Sequence, residues 1–331
     1  MLEVVKNAKA HRFDRIKGAL YGVACGDCLG APVEFMDASQ IRLQYGEVRD
    51  ILGGGWLGAY AGVGTDDTAM TLAVAEGIMN TSPVDDPVEK IGAEFIKWFY
   101  DAPIGAGAAC ARSIGYASKN GRVKTPKRST WLKAAEKAHY DMAGRSGGNG
   151  SLMRTVPVAL FTRASQACAT LAADVSQMTH YDPDAAMACV IYSEIIRKLI
   201  RGYSLLPTLD RETSGTEYRR ATRADVAFMP YPSGYVKDSF NTALWAASRE
   251  RSFEDVLIAT VNLGGDADTT GAIAGGIAGA AYGYSAIPDR WIKALDGKLK
   301  ARLDAAAEAA GKVWGCGTAW YSVVHIGTGS R

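Results

Sequence analysis

Four aspartates in two short motifs dominate the chemistry this sequence can support. Gly64-Thr65-Asp66-Asp67-Thr68 closes a glycine-rich stretch ahead of an apolar segment, Ala69 to Met79. Gly264-Gly265-Asp266-Ala267-Asp268-Thr269-Thr270 joins two apolar segments. Adjacent carboxylates repel one another, and burying one without a counter-charge is costly. No lysine or arginine lies near either motif in the chain. A hard divalent cation would supply the missing charge, because carboxylate and hydroxyl oxygens are ligands for Mg²⁺ or Mn²⁺. Four aspartates with neighbouring threonines suit two such ions sharing ligands, a pair able to activate a water. Asp and Thr also favour helix N-caps, and either motif alone would read as capping. Two glycine-led, threonine-flanked copies favour a metal site. The second motif begins like an EF-hand, with Asp266, Asp268, Thr270 and Gly271. It places Ile277 where the twelfth-position Glu is required, which excludes that calcium loop.

Three further features could act on a substrate. Pro32 ends a helical segment and leaves Glu34 on irregular chain beside apolar neighbours, where a raised pKa would suit an acid or base. Taken alone, such a Glu is usually a solvated loop residue. Arg145-Ser146-Gly147-Gly148-Asn149-Gly150-Ser151 leaves backbone N–H groups open, as a phosphate cradle requires, although plain turns share that composition. His180 follows Met178-Thr179 at a helix start, a position more often structural than functional. Two motifs are decoys. Gly53-x-Gly55-x-x-Gly58 fits a dinucleotide fingerprint but has neither a following helix nor a βαβ context. Cys25-Gly-Asp-Cys28 has zinc or redox spacing without a second pair.

The elements that must hold these residues read as helices. Apolar residues at Ile16, Leu20, Val23 and Ala24 keep a helical period between Phe13 and Cys28. Asp182-Pro183 opens a helix running toward Leu199 and stopping near Gly202. Ser252-x-x-Asp255 resembles a capping box. After Asp268 the segment is rich in Gly271, Ala274, Gly275, Ala278 and Gly279, which predicts a helix packed closely in the middle of a bundle. Strand signals are sparse. Glu47 to Gly64 and Leu205 to Tyr235 read as loops, the latter a surface insertion at 205–235. One all-α domain over 1–331 is the expected architecture.

Composition is that of a globular protein with ample material for a core: 48% apolar residues, 22% charged and a net charge of +2. No basic block points to nucleic acid or an anionic membrane, and no window approaches a membrane span. The N-terminus lacks a signal-peptide pattern, and six scattered cysteines suit reduced thiols, so a cytoplasmic protein is expected.

In order along most of the chain, the sequence carries Gly18-Ala-Leu-Tyr-Gly22, Gly26-Asp-Cys-Leu-Gly30, Gly64-Thr-Asp-Asp-Thr68 and Asn149-Gly-Ser-Leu-Met-Arg154 followed by Pro157-Val-Ala-Leu160. Thr179-His180, Gly234-Tyr-Val-Lys-Asp238, Ala243-Leu-Trp245 and Val261-Asn-Leu-Gly-Gly-Asp-Ala-Asp-Thr-Thr-Gly271 follow. Together these blocks resemble the ADP-ribosylglycohydrolase family, in particular its bacterial dinitrogenase-reductase-activating type. The resemblance implies an orthogonal all-α bundle with a dinuclear Mg²⁺ or Mn²⁺ centre held by Thr65, Asp66, Asp67, Asp266, Asp268 and Thr269. It implies catalytic roles for Glu34, Asp67 and Asp268, with Glu34 on a mobile flap. Ser146, Gly147, Gly148, Asn149, Gly150 and Met153 would line the diphosphate and ribose site, with His180 facing the ligand and Tyr235 at the adenosine end. The implied reaction removes ADP-ribose from a protein side chain, arginine first, by a monomeric enzyme. Serine-linked ADP-ribose and small ADP-ribosyl molecules remain alternatives, as does a catalytically silent binding or structural protein. Arginine-specific relatives often carry an acid near an Ile-Gly step; here that region reads Ala102-Pro-Ile-Gly-Ala106, with only Asp101 nearby.

Overall fold

The computed structural model describes residues 2–101, 103–222 and 228–315, the side chains of residues 2–7 excepted. Sixteen α-helices and no β-strand occur among the described residues. The first eight are α1 (Leu2–Gly30), α2 (Ala38–Tyr45), α3 (Asp66–Met79), α4 (Pro87–Tyr100), α5 (Ala108–Ala117), α6 (Arg128–Asp141), α7 (Val156–Phe161) and α8 (Ser165–Gln177). There follow α9 (Pro183–Ile200), α10 (Leu205–Glu212), α11 (Arg219–Thr222), α12 (Val236–Arg249), α13 (Phe253–Val261), α14 (Ala267–Tyr282), α15 (Asp289–Ala294) and α16 (Gly297–Gly315). No described helix is long and apolar enough to cross a membrane.

The core is organised around α14, which is buried at every position from Ala267 to Ala280 and packs against α1, α3, α9, α12 and α13. Its small residues explain how. Gly18, Gly22, Gly26 and Gly30 recur every fourth residue on α1, so they share one face. They run antiparallel to Gly279, Gly275, Gly271 and Ala267. A Cβ on Gly22 would overlap the carbonyl oxygen of Gly275, and one on Gly275 would overlap that of Gly22. The same reciprocal collision holds for Gly18 with Gly279 and for Gly26 with Gly271. The two backbones therefore touch, and only glycine permits it.

Helix ends follow the sequence signals. Asp182 accepts from the amides of Asp184 and Ala185, with Pro183 in the first turn. Ser252 caps α13 through the Asp255 amide. Asp37 and Gln40 form a full capping box on α2, an element the apolar pattern did not reveal. The segment Leu205 to Tyr235 differs from its expected loop character, since it contains α10 and α11. Pro207 falls within the first turn of α10, where amides lack helical partners, so it does not break the helix. Thr208, Leu209, Tyr218 and Ala221 bury this stretch against the bundle; residues 223–227 lie outside the described part. Cys25, Cys28, Cys110, Cys168 and Cys189 are free and buried, and Cys316 lies outside the described residues.

Gly275→Val is expected to lower stability by about 3 kcal/mol, because the added side chain must push apart two backbones that cannot relax independently. The fall in urea midpoint at unchanged slope would measure it; an unchanged midpoint would contradict the close contact.

Candidate active site

Three helix ends build one acidic centre. Thr65 is the N-cap of α3 and accepts from the Asp67 amide, which places Asp66 and Asp67 in the first turn. Asp266 is the N-cap of α14, with Asp268 and Thr269 in its first turn. Carboxylates at these positions gain from the exposed amides and the positive end of each helix dipole. Asp27 enters from α1, one residue beyond the glycine contact with Gly271. It accepts from the amides of Thr65 (3.0 Å) and Thr68 (3.0 Å), and from both threonine hydroxyls. Gly64 has no room for a side chain here, since a Cβ would lie 2.9 Å from Asp27 Oδ2. Thr269 closes the ring by donating to Asp67 Oδ2 at 3.3 Å.

Asp27, Asp67 and Asp268 each present an oxygen within 4.8 Å of the others, and Glu34, Asp266 and Asp268 form a second such group. Asp268 belongs to both. Asp66 belongs to neither group; its carboxylate accepts from the Gly107 amide and lies against Gly105, whose Cβ would be 2.6 Å from Oδ1. None of these six acids takes part in an ion pair among the described residues. Burial, then neighbouring carboxylates, push Asp67 and Asp268 well above the usual carboxylate range. Burial raises Asp27 too, against its four hydrogen bonds, which lower it. Asp67 Oδ1 is buried without any hydrogen-bond partner. An orphaned anionic oxygen beside two oxygen-rich triads is the donor set of a hard divalent cation.

Glu34 stands at the rim. The chain leaves α1 through a 3-10 turn, Ala31–Val33, with Pro32 in its first positions. The Phe35 amide then donates to Gly265 O (2.6 Å) and the Gly265 amide to Met36 O (2.7 Å), tying Glu34 to the second aspartate motif. Gly265 has φ +64°, and a Cβ there would overlap Pro232 O. Burial raises the Glu34 carboxyl to about 7, opposed by the bond from Trp56 Nε1 to Oε2 at 2.6 Å. Trp56 comes from the loop that closes into the first aspartate motif.

Glu34, Asp66, Asp266 and Asp268 line a cleft of about 380 Å³ together with Gly148, Asn149, Gly150, Met153 and His180, and Asp27 and Asp67 lie beneath its surface. Asn149 is central to that second wall: its Nδ2 donates to Asp266 Oδ2 and Ser239 Oγ, both at 2.8 Å. His180 is buried, and burial together with the Arg154 charge lowers it to about 3, so its ring is neutral. Ser146 does not reach the cleft; fully buried, it bridges His139 Nδ1 (2.6 Å) and Tyr181 O (3.2 Å) and anchors the loop. Gly147 lies behind the same wall, its carbonyl accepting from the Val236 amide. The Tyr235 ring turns outward, with its hydroxyl on Asp184 Oδ2 at 2.9 Å. Asp101 lines a separate surface groove with Glu76 and Glu94, so no acid follows the Ile104-Gly105 step into the cleft. Two residues went unassigned in the sequence. Asp27 is the larger omission; a charged residue on the apolar face of a glycine-spaced helix was the available signal. Trp56 carried none.

Asp66 and Glu34 sit at about 7, against ordinary values of 3.8 and 4.5. The folded, chelated protein then binds more protons than the unfolded chain across that interval. Its stability is expected to fall as pH rises toward about 7, and added divalent cation should flatten the fall. Melting temperatures with and without chelator test this; a chelated protein that gains stability over that range would contradict it. Asp27→Asn puts an amide among four donors and is expected to weaken divalent binding by at least about tenfold, read by calorimetry.

A sequence profile of the ADP-ribosylglycohydrolase family matches residues 8–319. The ADP-ribosyl-[dinitrogen reductase] glycohydrolase of Rhodospirillum rubrum is 35% identical over 294 residues, 88% of this chain and 93% of that protein. The ADP-ribosylarginine hydrolase Tri1 of Serratia proteamaculans is 29% identical, covering 87% of this chain and 76% of its own. Bovine ADP-ribosylhydrolase ARH3 is 24% identical over 87% and 90% of the two chains. A solved structure described as an ADP-ribosylglycohydrolase-related protein complex superposes with a TM-score of 0.72 at 30% identity, covering 92% of this chain and 99% of that one. This chain belongs to the ADP-ribosylglycohydrolase family, a family of enzymes.

Proposed function

We propose that the protein is a divalent-metal-dependent hydrolase that removes ADP-ribose from arginine side chains of proteins. The observation that carries this reading is the meeting, at one cleft, of two carboxylate triads sharing Asp268 with a glycine-rich wall and a neutral imidazole. The names of the Rhodospirillum and Serratia relatives support ADP-ribose as the unit removed, and the Serratia name supports arginine as the side chain that carries it.

Thr65, Asp66, Asp67, Asp266, Asp268 and Thr269 would hold two Mg²⁺ or Mn²⁺ ions, and Asp27 joins that set by its position. Bound there, the ions neutralise the cluster and supply Lewis-acid charge to the reacting water and the sugar hydroxyls. The rest falls to side chains. Hydrolysis breaks the bond between the anomeric carbon and the guanidine nitrogen and joins the water oxygen to that carbon. Glu34, held near neutral pKa and fixed on one oxygen by Trp56, receives the water proton and returns it to the leaving nitrogen. The positive charge that develops on the sugar faces the carboxylates. Gly148 and Gly150 leave the backbone bare where a diphosphate would lie, while Met153 supplies an apolar wall. Ser146, Gly147 and Tyr235 support this wall from behind or from its outer edge.

A second reading has its own observation. Asp101 lines a separate groove, so the segment around Ile104-Gly105 brings no acid of its own into the cleft, where the carboxylate against Gly105 is Asp66 of the first aspartate motif. Serine-linked ADP-ribose would need no such acid, and ARH3 proteins are also similar to this chain.

The test is ADP-ribose release from an arginine-ADP-ribosylated protein, with Mg²⁺ or Mn²⁺ and with chelator. Release is expected only with metal, and Asp268→Ala is expected to lower it by at least about a hundredfold, roughly 2.7 kcal/mol in the barrier. Near-normal turnover in that variant would overturn the metal assignment. Release only from a serine-linked substrate would favour the second reading.

A further inference from the structure

Arg154 is fully buried, yet no ion pair among the described residues supplies it with a carboxylate. Burying a cation in this way is costly unless its donors are committed. All but the Nε–H, which has no partner among the described residues, are: Nη1 donates to Gly150 O (3.0 Å) and Cys110 Sγ (3.3 Å), while Nη2 donates to Val175 O (3.0 Å) and Thr179 Oγ1 (2.7 Å). The guanidinium also stacks over Phe95, 4.6 Å from the ring centroid. Gly150 and the residue after Thr179 both line the cleft, so the buried charge grips its wall at two points.

The bond to Thr179 has a chemical consequence. A guanidinium only donates, so it uses the hydroxyl oxygen as acceptor and leaves the hydroxyl proton to be placed elsewhere. The acceptor at hand is His180 Nδ1 at 2.8 Å; the Cys110 thiol, 3.9 Å away, donates to the same hydroxyl oxygen. Were Nδ1 to donate instead, three donors would converge on one hydroxyl oxygen and its own proton would be left without an acceptor. The hydroxyl therefore donates to Nδ1, and the ring proton resides on Nε2. That edge of the ring faces the glycine loop: a Cβ on either Gly148 or Gly150 would lie 3.5 Å from Nε2.

We propose that Arg154, acting through Thr179, is a positioning residue that fixes His180 as its Nε2–H tautomer and so presents a donor to an anionic phosphate oxygen of the substrate. The identity of that acceptor rests on the ADP-ribosyl reading above; the tautomer does not. A ring held neutral by its burial cannot substitute charge for orientation, so the relay decides whether it donates or accepts. The same guanidinium, by holding Gly150 O, turns the loop carbonyl away from an incoming anion.

The experiment is ¹⁵N spectroscopy of the histidine rings in the full chain at neutral pH, with His180 assigned by loss of its signals in His180→Gln. A pyridine-like Nδ1 and a protonated, pyrrole-like Nε2 are expected. Thr179→Val should mix the tautomers and weaken ADP-ribose binding by at least about fivefold while holding Mn²⁺ affinity within about twofold; Thr179→Ser should restore both. A proton on Nδ1 in the unmodified protein would overturn the relay, and this spectrum decides the matter even where Thr179→Val fails to fold. Unchanged tautomer and affinity in a folded Thr179→Val protein would also overturn it. The expected tautomer without any ADP-ribose binding would uphold the relay and remove the substrate reading instead.

Discussion

Carboxylates that cannot all be ionised together sit at the centre of this molecule, and the surrounding architecture answers their repulsion. Asp27, Asp67 and Asp268 are buried with oxygens within 4.8 Å of one another. Protein atoms meet part of the cost. Two helix N-termini, at Thr65 and Asp266, turn the positive ends of their dipoles toward the region, and four hydroxyl or amide donors converge on Asp27. They stop short of a full solution: Asp67 Oδ1 keeps no partner, and the group as a whole is shifted toward protonation. A site so composed is designed around a charge that side chains do not provide.

The contact between α1 and α14 sets the spacing of that group. Gly26 meets Gly271, and Gly30 meets the Ala267 carbonyl, so Asp27 and Asp268 are carried to opposite sides of one seam by backbone geometry. Flexible side-chain packing would leave that distance soft. Direct backbone contact makes it rigid, at the entropic cost of seven glycines along the seam of the two helices. Core packing and ligand spacing are here the same interaction, and a substitution that loosens one displaces the other.

What the sequence makes legible follows from distance along the chain. The two aspartate motifs are local, each a helix cap with its own first turn, so their residue types and spacing announce them. The small-residue character of α14 is equally visible, because packing needs leave a compositional trace. Asp27 is not local: its partners Thr65 and Thr68 lie 38 and 41 residues away, and an acid inside a helix ordinarily faces water. Ser146 and Tyr235 lie beside cleft-lining residues, but their side chains are claimed by His139, Tyr181 and Asp184. Motif position fixes the backbone; hydrogen-bond competition from distant elements decides which way a side chain turns. Pro207 and the polar surroundings hid the short apolar stripe of Leu205, Leu206 and Leu209 in α10, and α11 is only one turn long, too short to show a period, while burial of Leu209 and Tyr218 depends on the bundle they join.

The cleft also has to admit an anion past its own acids. Glu34, Asp66, Asp266 and Asp268 line it, and Arg145 is the sole lysine or arginine among its lining residues. A diphosphate approaching an ionised, metal-free cluster would be repelled over several ångströms of low-dielectric space. The structure divides the problem between two walls. The glycine loop and His180 offer neutral donors, with the Arg154 charge buried behind them. The acid wall becomes compatible with the same ligand only when its carboxylates are protonated or matched by cations. On the reading proposed here, metal would thus govern entry of the substrate as well as its cleavage. The residual preference for anions would lie in the loop, whose geometry persists whether or not the acids are neutralised.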